Sequence, residues 1–428
     1  MLSIDKRNHI QQLMRQEIVP SVGCTEPIAV ALCAAKACSV LGRKAEKIEA
    51  YLSGNVLKNA LGVGIPGTGM TGLPIAIALG ALTGKPEEEL ELLKNVTHEQ
   101  VEQGKRFIEE ERIGIHQQTG ITDKLYINIR CSAAGESAVA TIAGHHNYFT
   151  YIEKNGKVLL DKPVSGNPEE DAENNLTLNF RTVYEYAVES PLEELSFILE
   201  AARMNRNASR QAMLHSYGHN VAGSLKNQNG LHVFGDNLHT RMIISTAGAC
   251  DMRMDGGLVP VMTNSGSGNQ GIAATMPVLT YAESESCSDE QLIRALTMSS
   301  LLIIYIKQQL GKLSALCGCV VASTGSSCGI TYLMGGSYEQ IVYAAKNMIA
   351  NITGMICDGA KPGCALKIAS GVSTAALSAV MAMEDEVVTS KEGIVDEDID
   401  RTIENLARIG NSGMQETDKL VLDIMTKK

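Results

Sequence analysis

The stretch KLYINIRCSAAGESAVATIAGHHNYFTYIE, residues 124–153, decides the fold class of this 428-residue chain. β-branched and aromatic residues recur in it as strand-like runs at 124–132, 137–143 and 148–153. The last run is followed by Asn155-Gly156, a dipeptide typical of tight hairpin turns. These features predict consecutive strands in one small mixed or antiparallel sheet.

The rest of the chain has mostly helical patterns. Apolar spacing predicts a strand at 47–53 and helices at 4–19, 27–41, 73–83, 86–95 and 98–110. After an acidic linker candidate at 162–175, helical spacing recurs at 192–204, 289–310, 338–352 and 394–406. The sequence therefore predicts an α+β protein. An α/β domain spans 1–175, and a mostly all-α domain with buried glycine-rich helices spans 176–428.

Composition limits the class of protein. The chain has eleven cysteines, an odd number, and an N-terminus without the apolar core of a signal peptide. We therefore expect a cytoplasmic protein whose thiols are core residues, nucleophiles or ligands of soft metals. The net charge of −11 argues against nucleic acid as a partner. The uncharged stretches 59–84 and 313–337 are interrupted by Gly, Ser and Thr, so we expect buried helices and no membrane span.

Four thiols form the first candidate site. Cys317 and Cys319 are separated by one glycine, and Cys357 and Cys364 flank a turn-forming loop in MICDGAKPGC, residues 355–364. The pattern lacks the two tight knuckles and paired histidines of a zinc site, although zinc stays an alternative. Thiolates from separate loops are typical of an iron–sulfur cluster. Ordinary buried or redox-active cysteines are the remaining interpretation.

Two polar segments are candidates for binding a carboxylate. The loop TNSGSGNQG, residues 263–271, could bind a carboxylate or phosphate through its backbone and through Asn264, Ser265, Gly266, Ser267 and Asn269. A plain glycine-rich helix connection is the alternative, and the loop lacks the context of a nucleotide site. The second segment precedes the glycine-rich run 62–69 and offers Ser53, Asn55, Lys58 and Asn59. Lys58 also fits an ordinary solvated lysine.

The turn SVGCTEP, residues 21–27, places a thiol before a helix. Thr25 is positioned as the N-cap and Pro27 in the first turn, so Cys24 is expected at the positive end of the helix. A thiol there has a reason to ionise. The pairs His145-His146 and His215 with His219 lack the glutamate of an H-E-x-x-H pattern, and structural roles suit them better.

Together these motifs resemble the L-cysteine desulfidase family, which includes the bacterial proteins grouped as UPF0597. The likeness is carried by SVGCTEP, by Cys317-Gly318-Cys319 and by the C-D-G-A-K-x-x-C segment that ends at Cys364. That family is similar in turn to the iron–sulfur L-serine dehydratases. Their α-subunit has a T-N-G-rich loop, matched here by the loop at 263–266, and a C-D-P-x-G-G-x5-C segment, matched with a shorter spacer by Cys357, Asp358 and Cys364. The likeness extends over residues 24–367.

The resemblance implies an oxygen-sensitive 4Fe-4S cluster held by three cysteines, with one iron open to substrate. Cys357 and Cys364 are two of the implied ligands. The third is Cys317 or Cys319, and alignment on the following Gly335-Gly336 favours Cys317. In the dehydratases a Ser-His-Thr turn takes the place of Gly23-Cys24-Thr25, and a thiol instead of that histidine fits a desulfidase.

The resulting hypothesis is a lyase that converts L-cysteine to pyruvate, ammonia and sulfide. The open iron is the Lewis acid for the leaving group, and a Cys24 thiolate is the base for the Cα proton. Thr25 and the two polar segments would bind the substrate. An L-serine dehydratase and a non-catalytic metal-binding or sensor protein are the alternatives. Pyridoxal phosphate is not required; with it, Lys58 or Lys361 would form the Schiff base. Glycine-rich apolar helices are compatible with a homodimer.

Overall fold

A computed structural model describes residues 2–121, 123–164, 176–311 and 313–427. The chain is an α+β protein, as predicted, with a mixed six-stranded sheet in its N-terminal part and a mainly helical C-terminal part. The strands are β1 (Pro20–Ser21), β2 (Lys47–Leu52), β3 (Ile113–Gln117), β4 (Tyr126–Ala133), β5 (Glu136–Ala143), β6 (Phe149–Lys154), β7 (Lys157–Asp161) and β8 (Val261–Met262). The helices of the N-terminal part are α1 (Ile4–Glu17), α2 (Thr25–Leu41), α3 (Gly54–Ala60), α4 (Leu73–Thr83) and α5 (His98–Glu109), with a short 3₁₀ helix at Pro86–Glu91.

The six-stranded sheet has the strand order β3-β2-β4-β5-β6-β7. Strands β2 and β3 run parallel, and every other neighbouring pair is antiparallel. The predicted strands are confirmed as β2, β4, β5 and β6, and the turn after β6 has Asn155 and Gly156 at φ 50° and 77°, as a tight hairpin requires. The edge strands β3 and β7 were not predicted. Strand β7 is largely exposed and lacks the alternating apolar pattern of a half-buried strand. Strand β3 alternates only at Ile113 and Ile115, which are partly buried, and this pattern is too short to predict a strand.

The C-terminal part consists of helices that pack on one another. They are α6 (Phe180–Glu189), α7 (Leu192–Leu195), α8 (Ile198–Ala212), α9 (Val221–Lys226), α10 (Gln228–Phe234), α11 (Leu238–Met254), α12 (Gly268–Ser284), α13 (Asp289–Leu310), α14 (Gly318–Leu333), α15 (Tyr338–Ile352), α16 (Cys364–Met383), α17 (Ile399–Arg408) and α18 (Gln415–Thr426). Capping boxes at Ser288 and Ser337 begin α13 and α15 where they were predicted.

Three predicted helices differ from the structure. The helix predicted at 86–95 is the 3₁₀ helix Pro86–Glu91. The helix predicted at 192–204 is divided into α7 and α8. The helix predicted at 394–406 begins at Ile399, because Asp398 is its N-cap and accepts a hydrogen bond from the Asp400 N–H.

Two hydrophobic clusters form the interior. One lies between the sheet and helices α2 to α5, and the other holds the C-terminal helices. Each end of the chain packs with the other part of the protein. Ile10 and Met14 of α1 belong to the cluster of the C-terminal helices, and Leu422 of α18 belongs to the sheet cluster. The domain boundary at residue 175 stays a prediction. Most of the linker candidate, residues 165–175, lies outside the described residues.

A second, two-stranded sheet joins the two parts of the chain. Strand β1 pairs with β8, with Pro20 opposite Met262 and Ser21 opposite Val261. The pairing continues one residue further, where the Thr263 N–H donates to the Val19 carbonyl at 2.8 Å. These bonds place the turn at 21–27 beside the polar loop at 263–271.

One described helix, α16, is long and apolar enough to cross a membrane by length and composition. Of the most apolar 18-residue stretch of this helix, 39% is buried inside the protein. A core helix passes the same test of length and composition, and α16 packs against α11, α14 and α15.

The C-terminal helix α18 is fastened to α3 by a buried ion pair. The Lys58 Nζ lies 2.5 Å from Asp418 Oδ1, and the Asn55 amide donates to Asp418 Oδ2 at 2.9 Å. The Lys58 side chain is 1% exposed and the Asp418 side chain 24% exposed. The Lys58 charge has less access to water than the Asp418 charge, so Lys58 relies more on its partner for stabilisation.

Removal of the Asp418 carboxylate should cost more than removal of the Lys58 charge. Asp418→Ala leaves a buried ammonium without its partner, and we expect a loss of about 3–5 kcal/mol in the free energy of unfolding. Lys58→Met keeps an apolar side chain of similar length and leaves an aspartate that water and Asn55 still solvate, so the loss should be smaller. Urea unfolding of both variants measures the order, and a larger loss for Lys58→Met contradicts it.

Candidate functional site

The beginnings of four helices converge on one cavity of about 120 Å³. Cys24 precedes α2, Ser267 precedes α12, Cys317 precedes α14, and Cys364 is the first residue of α16. Helix N-termini carry unpaired N–H groups and partial positive charge, so the cavity favours an anionic ligand. An apolar cavity of about 150 Å³ holds one benzene molecule, so this volume suits one small metabolite.

Glu26 is a buried carboxylate in the wall of this cavity. Its Oε1 accepts a hydrogen bond from the Asn59 amide at 3.1 Å, and its Oε2 accepts one from the Cys24 thiol at 3.0 Å. The Thr25 hydroxyl lies 3.1 Å from Glu26 Oε2 and 3.1 Å from the Gly266 carbonyl. The carboxylate therefore joins the start of α2 to α3 and to the polar loop.

The Glu26 carboxylate is ionised at neutral pH. Burial acts to raise the pKa of Glu26, but the positive charge of His146, the hydrogen bond from Cys24 and the charge of Arg253 outweigh it and hold this pKa below its ordinary value. Neither Glu26 nor His146 was predicted as a site residue.

Cys24 is a protonated thiol beside that carboxylate. Burial, and then the negative charge of Glu26, raise the pKa of Cys24 well above its ordinary value, although Arg253 acts in the opposite direction. The expectation that the helix N-terminus ionises this thiol is therefore wrong. The cap assignment also shifts by one residue, because Cys24 occupies the N-cap position and Thr25 is the first residue of α2.

A short β-bridge brings two cysteine segments together. Leu316 and Ile356 pair in the antiparallel sense. On either side, the Cys317 N–H donates to the Met355 carbonyl at 3.0 Å and the Cys357 N–H donates to the Ala315 carbonyl at 2.6 Å. Both cysteines line the cavity together with Cys319 and Cys364.

These thiols affect one another electrostatically. Burial, and then the neighbouring Cys319 and Cys357, raise the pKa of Cys317 well above its ordinary value. Burial also raises the pKa of Cys364, and Cys357 adds to that effect. The four thiols that sequence spacing grouped together thus line one cavity in the fold.

Cys319 is engaged with helix α16 and Cys317 is not. The Cys319 thiol lies 3.1 Å from the Lys367 carbonyl and 3.6 Å from the Ser323 hydroxyl. A Cβ atom at Gly371 would lie only 2.6 Å from the Cys319 sulfur, so the thiol packs directly on the helix backbone. The Cys317 side chain makes no capping hydrogen bond. The Cys319 thiol is thus occupied by a contact within the protein.

The chemistry of the donor set suits a soft metal. Cys317, Cys357 and Cys364 bring sulfur donors from separate segments to one cavity, and an iron–sulfur cluster takes one thiolate per iron from such segments. No three His, Cys, Asp or Glu side chains in the described part of the chain are arranged to hold a single metal ion.

The loop between Cys357 and Cys364 is held from both sides. Asp358 forms ion pairs with Lys361 at 2.5 Å and with Lys367. Burial acts to raise the pKa of Asp358, but the two lysines outweigh it and lower this pKa to about 2. Gly359 has φ 86°, and a Cβ atom there would lie 2.2 Å from the Lys58 carbonyl oxygen, so this close approach to α3 requires glycine.

Among the residues that the structure describes, three cations line the cavity, although the chain carries a net charge of −11. They are Arg253, Lys307 and Lys367. Arg253 is 2% exposed and donates to Asn269 Oδ1 at 3.1 Å and to the Gly23 carbonyl at 2.8 Å. A small ligand with a carboxylate suits such a lining.

The structure divides the predicted site residues into two groups. Those that line the cavity are Cys24, Thr25, Asn59, Gly266, Ser267, Asn269, Cys317, Cys357 and Cys364. Five others have their polar groups engaged elsewhere. Ser53 donates to the Lys124 carbonyl, Asn264 donates to the Ser300 carbonyl, and Ser265 donates to Asn264. Asn55 and Lys58 bind Asp418, and the lysines that line the cavity are Lys307 and Lys367, so neither proposed Schiff-base lysine lies there.

Sequence reasoning missed Glu26, Arg253, Gln270, Lys307 and Lys367, all of which line the cavity. Glu26 lies in the turn at 21–27 and Gln270 in the polar loop at 263–271, where other residues of the same segments were predicted as site residues. Arg253 and Asp251 are charged residues within a largely uncharged helical run, and charges in such a run are a signal of buried functional groups. Lys307 gave no such signal, because it lies in the last turn of a long apolar helix, where a solvated lysine is common.

A fold of this class with a cysteine-lined cavity agrees with the comparison to known families. A family model described as the serine dehydratase alpha chain matches residues 87–423. The match covers most of the chain, and the chain belongs to this family. The resemblance stated from the cysteine and turn motifs is confirmed.

Among individual proteins, the chain is similar over nearly its whole length to bacterial UPF0597 proteins. One from Bacteroides fragilis is 58% identical over 423 residues, covering 99% of both chains. One from Porphyromonas gingivalis is 52% identical over 427 residues, covering 99% of both chains. One from Oleidesulfovibrio alaskensis is 44% identical over 416 residues, covering 97% of both chains.

Asp251 is a second buried carboxylate, two residues before Arg253. Its Oδ2 accepts a hydrogen bond from the Val221 N–H at 2.7 Å, and its Oδ1 has no hydrogen-bond partner among the residues that the structure describes. Burial raises the pKa of Asp251 from 3.8 to about 6, against backbone N–H groups and His219 that act to lower it. The protonated form is therefore favoured by folding.

Asp251 should make stability fall as the pH rises. The pKa of Asp251 is higher in the folded protein than in the unfolded chain. Its favourable contribution to the free energy of unfolding is therefore fully present below pH 3.8 and is lost as the pH rises through about 6. Asp251→Asn is neutral throughout, and we expect it to gain up to about 3 kcal/mol relative to the wild type between pH 4 and pH 7. Urea unfolding across this range measures the difference. A difference that does not change with pH contradicts the assignment.

Proposed function

We propose that this protein is an iron–sulfur-dependent amino-acid lyase that eliminates sulfide from L-cysteine. The observation that carries the proposal is the single cavity that unites three sulfur donors, a buried Cys24–Glu26 pair and a cationic lining. Membership of the serine dehydratase alpha chain family supports a dehydratase-like reaction. The thiol of Cys24 at the position where the dehydratase motif has histidine favours L-cysteine over L-serine.

Cys317, Cys357 and Cys364 are the residues that would hold the 4Fe-4S cluster. When bound through three thiolates, such a cluster supplies a Lewis acid at its remaining iron for the departing group. Burial acts to lower the pKa of Lys367, but its hydrogen bond to Asp358, and then the neighbouring Cys317 and Cys357, raise this pKa. Its positive charge offsets part of the negative charge of the thiolates.

The cationic side of the cavity would bind the substrate carboxylate. Arg253 and Lys307 provide charge, and the N-terminus of α12 provides N–H groups next to Ser267. A carboxylate held there directs the remaining atoms of a small amino acid toward the cysteine side of the same cavity. Binding energy is thus used to orient the bond that breaks.

Cys24 and Glu26 would remove the Cα proton as a pair. The thiol already donates to Glu26 Oε2, so its proton can pass to the carboxylate while the sulfur accepts the proton from Cα. After this exchange both Cys24 and Glu26 carry a proton, and the negative charge has passed to the substrate and leaves with the departing sulfur. Cys24 and Glu26 are 3% and 7% exposed, so water has little access to the transferred proton.

The overall chemistry is balanced without an oxidant. Loss of the Cα proton and of the Cβ sulfur converts L-cysteine to 2-aminoacrylate and hydrogen sulfide. Water then hydrolyses 2-aminoacrylate to pyruvate and ammonia. L-Serine would lose water in the same way, and it differs from L-cysteine only in the leaving atom, so it is the second candidate substrate.

Anaerobic reconstitution with iron and sulfide tests the proposal. We expect the protein to bind both and to form pyruvate, ammonia and sulfide from L-cysteine, with a higher kcat/KM than for L-serine. Iron-free protein that releases sulfide only with pyridoxal phosphate contradicts the scheme. Bound iron without turnover of either amino acid indicates the non-catalytic metal-binding alternative.

Single cysteine variants sharpen the same test. Cys317→Ser, Cys357→Ser and Cys364→Ser should each lower the iron content, because each removes a ligand thiolate. Cys319→Ser is the matched control and should keep its iron, because the Cys319 thiol is bonded to the Lys367 carbonyl. Iron lost from Cys319→Ser and retained by Cys317→Ser would reverse the assignment of the third ligand.

Variants of the acid–base pair should separate catalysis from cluster binding. Glu26→Gln and Cys24→Ser are expected to retain iron and to lower kcat by about 10²–10⁴-fold, because neither can complete the proton exchange. KM for L-cysteine should change much less. If Cys24→Ser loses iron, Cys24 is a ligand, and if Cys24→Ala keeps most of its kcat, Glu26 takes the proton directly.

A further inference from the structure

Gln270 presents an unused hydrogen-bond acceptor within the cavity. It lies in the first turn of α12, lines the cavity and is 3% exposed. Its Oε1 accepts no hydrogen bond from any group that the structure describes. A buried acceptor without a donor costs about 1–3 kcal/mol, so its retention at a ligand cavity points to a donor supplied by the ligand.

The orientation of the Gln270 amide is fixed by its neighbours. Its Nε2 donates to the Asn264 carbonyl at 3.3 Å, so the amide nitrogen faces the polar loop and the oxygen faces away from it. A Cβ atom at Gly318 would lie 3.2 Å from the Oε1. The glycine at the start of α14 therefore leaves the space beside this oxygen open to a small ligand group.

We propose that Gln270 Oε1 accepts a hydrogen bond from the α-ammonium group of the amino-acid substrate, an assignment that rests on the proposed function. The three cations of the lining repel an ammonium group and attract the carboxylate. Glu26 is a carboxylate of the described lining, and both of its oxygens are already bonded, to Asn59, Cys24 and Thr25. Gln270 thus gives the cavity a neutral acceptor that no described group uses.

The chemistry makes this residue a specificity determinant. A ligand with a carboxylate and a thiol but no amine gains nothing from the Gln270 oxygen. An α-amino acid gains a charge-assisted hydrogen bond and removes an unsatisfied acceptor at the same time. The cavity should therefore prefer α-amino acids to their deaminated analogues, and that preference should depend on Gln270.

A ligand pair and two variants test the assignment. L-Cysteine and 3-mercaptopropionate differ only by the amine. Calorimetry on reconstituted protein that also carries Glu26→Gln, which slows the conversion of L-cysteine, gives Kd for both ligands. Gln270→Leu should weaken L-cysteine binding about tenfold to a hundredfold, the effect of one hydrogen bond to a charged group, and leave 3-mercaptopropionate binding within about twofold. Gln270→Glu keeps an acceptor at this position and should keep or increase the preference for L-cysteine.

The outcomes distinguish this inference from the proposed function. Equal weakening of both ligands in Gln270→Leu, or no weakening of either, overturns the role of Gln270 even if the wild type eliminates sulfide. Loss of the preference in Gln270→Glu also overturns it. If the wild type binds L-cysteine and does not convert it, the proposed reaction fails, and the ligand comparison still decides whether Gln270 recognises the amine.

Discussion

The buried negative charge shared by Cys24 and Glu26 is the constraint on which the rest of the site depends. An ionised carboxylate removed from water is costly unless donors and positive charges surround it. Asn59 from α3 and the Cys24 thiol supply donors, and the positive charges of His146 and Arg253 lower the pKa of Glu26 against the effect of burial. The start of α2, helix α3, the polar loop and α11 must therefore meet at this point. Stability and function draw on the same contacts.

The positive lining of the cavity sets it apart from a structural metal site. A scaffold that only binds metal needs its thiols and nothing more. Here the thiols share their cavity with Arg253, Lys307 and Lys367 and with the beginnings of four helices, in a chain whose net charge is −11. Positive potential concentrated in a cleft raises the local concentration of an anion. This arrangement is consistent with a small carboxylate ligand beside the sulfur donors.

Local patterns in the sequence predicted the elements and the cysteine constellation but not the electrostatics. The strands β2, β4, β5 and β6 alternate over a half-buried face, so their two-residue period identified them. The edge strand β7 is exposed, and β3 alternates only at Ile113 and Ile115, so neither gave a sufficient signal. The charge state of Cys24 was predicted from its helix N-terminus. Its burial arises from tertiary packing, and Glu26, two residues further along the chain, places a negative charge beside it; both raise the pKa of Cys24. Arg253 and Gln270 reach the cavity from elements whose meeting no local pattern encodes.

The raised pKa of Cys24 and the lowered pKa of Glu26 are two aspects of one arrangement. Across neutral pH the pair holds a single proton, on sulfur, with the carboxylate ready to receive it. A free thiolate in so dry a place would need compensation for its whole charge, whereas a thiol that passes its proton 3.0 Å to an existing carboxylate leaves the total charge unchanged. In the proposed reaction the base would thus be formed only as the substrate proton arrives. A helix N-terminus alone could not achieve this, because it would favour a charge that persists between turnovers.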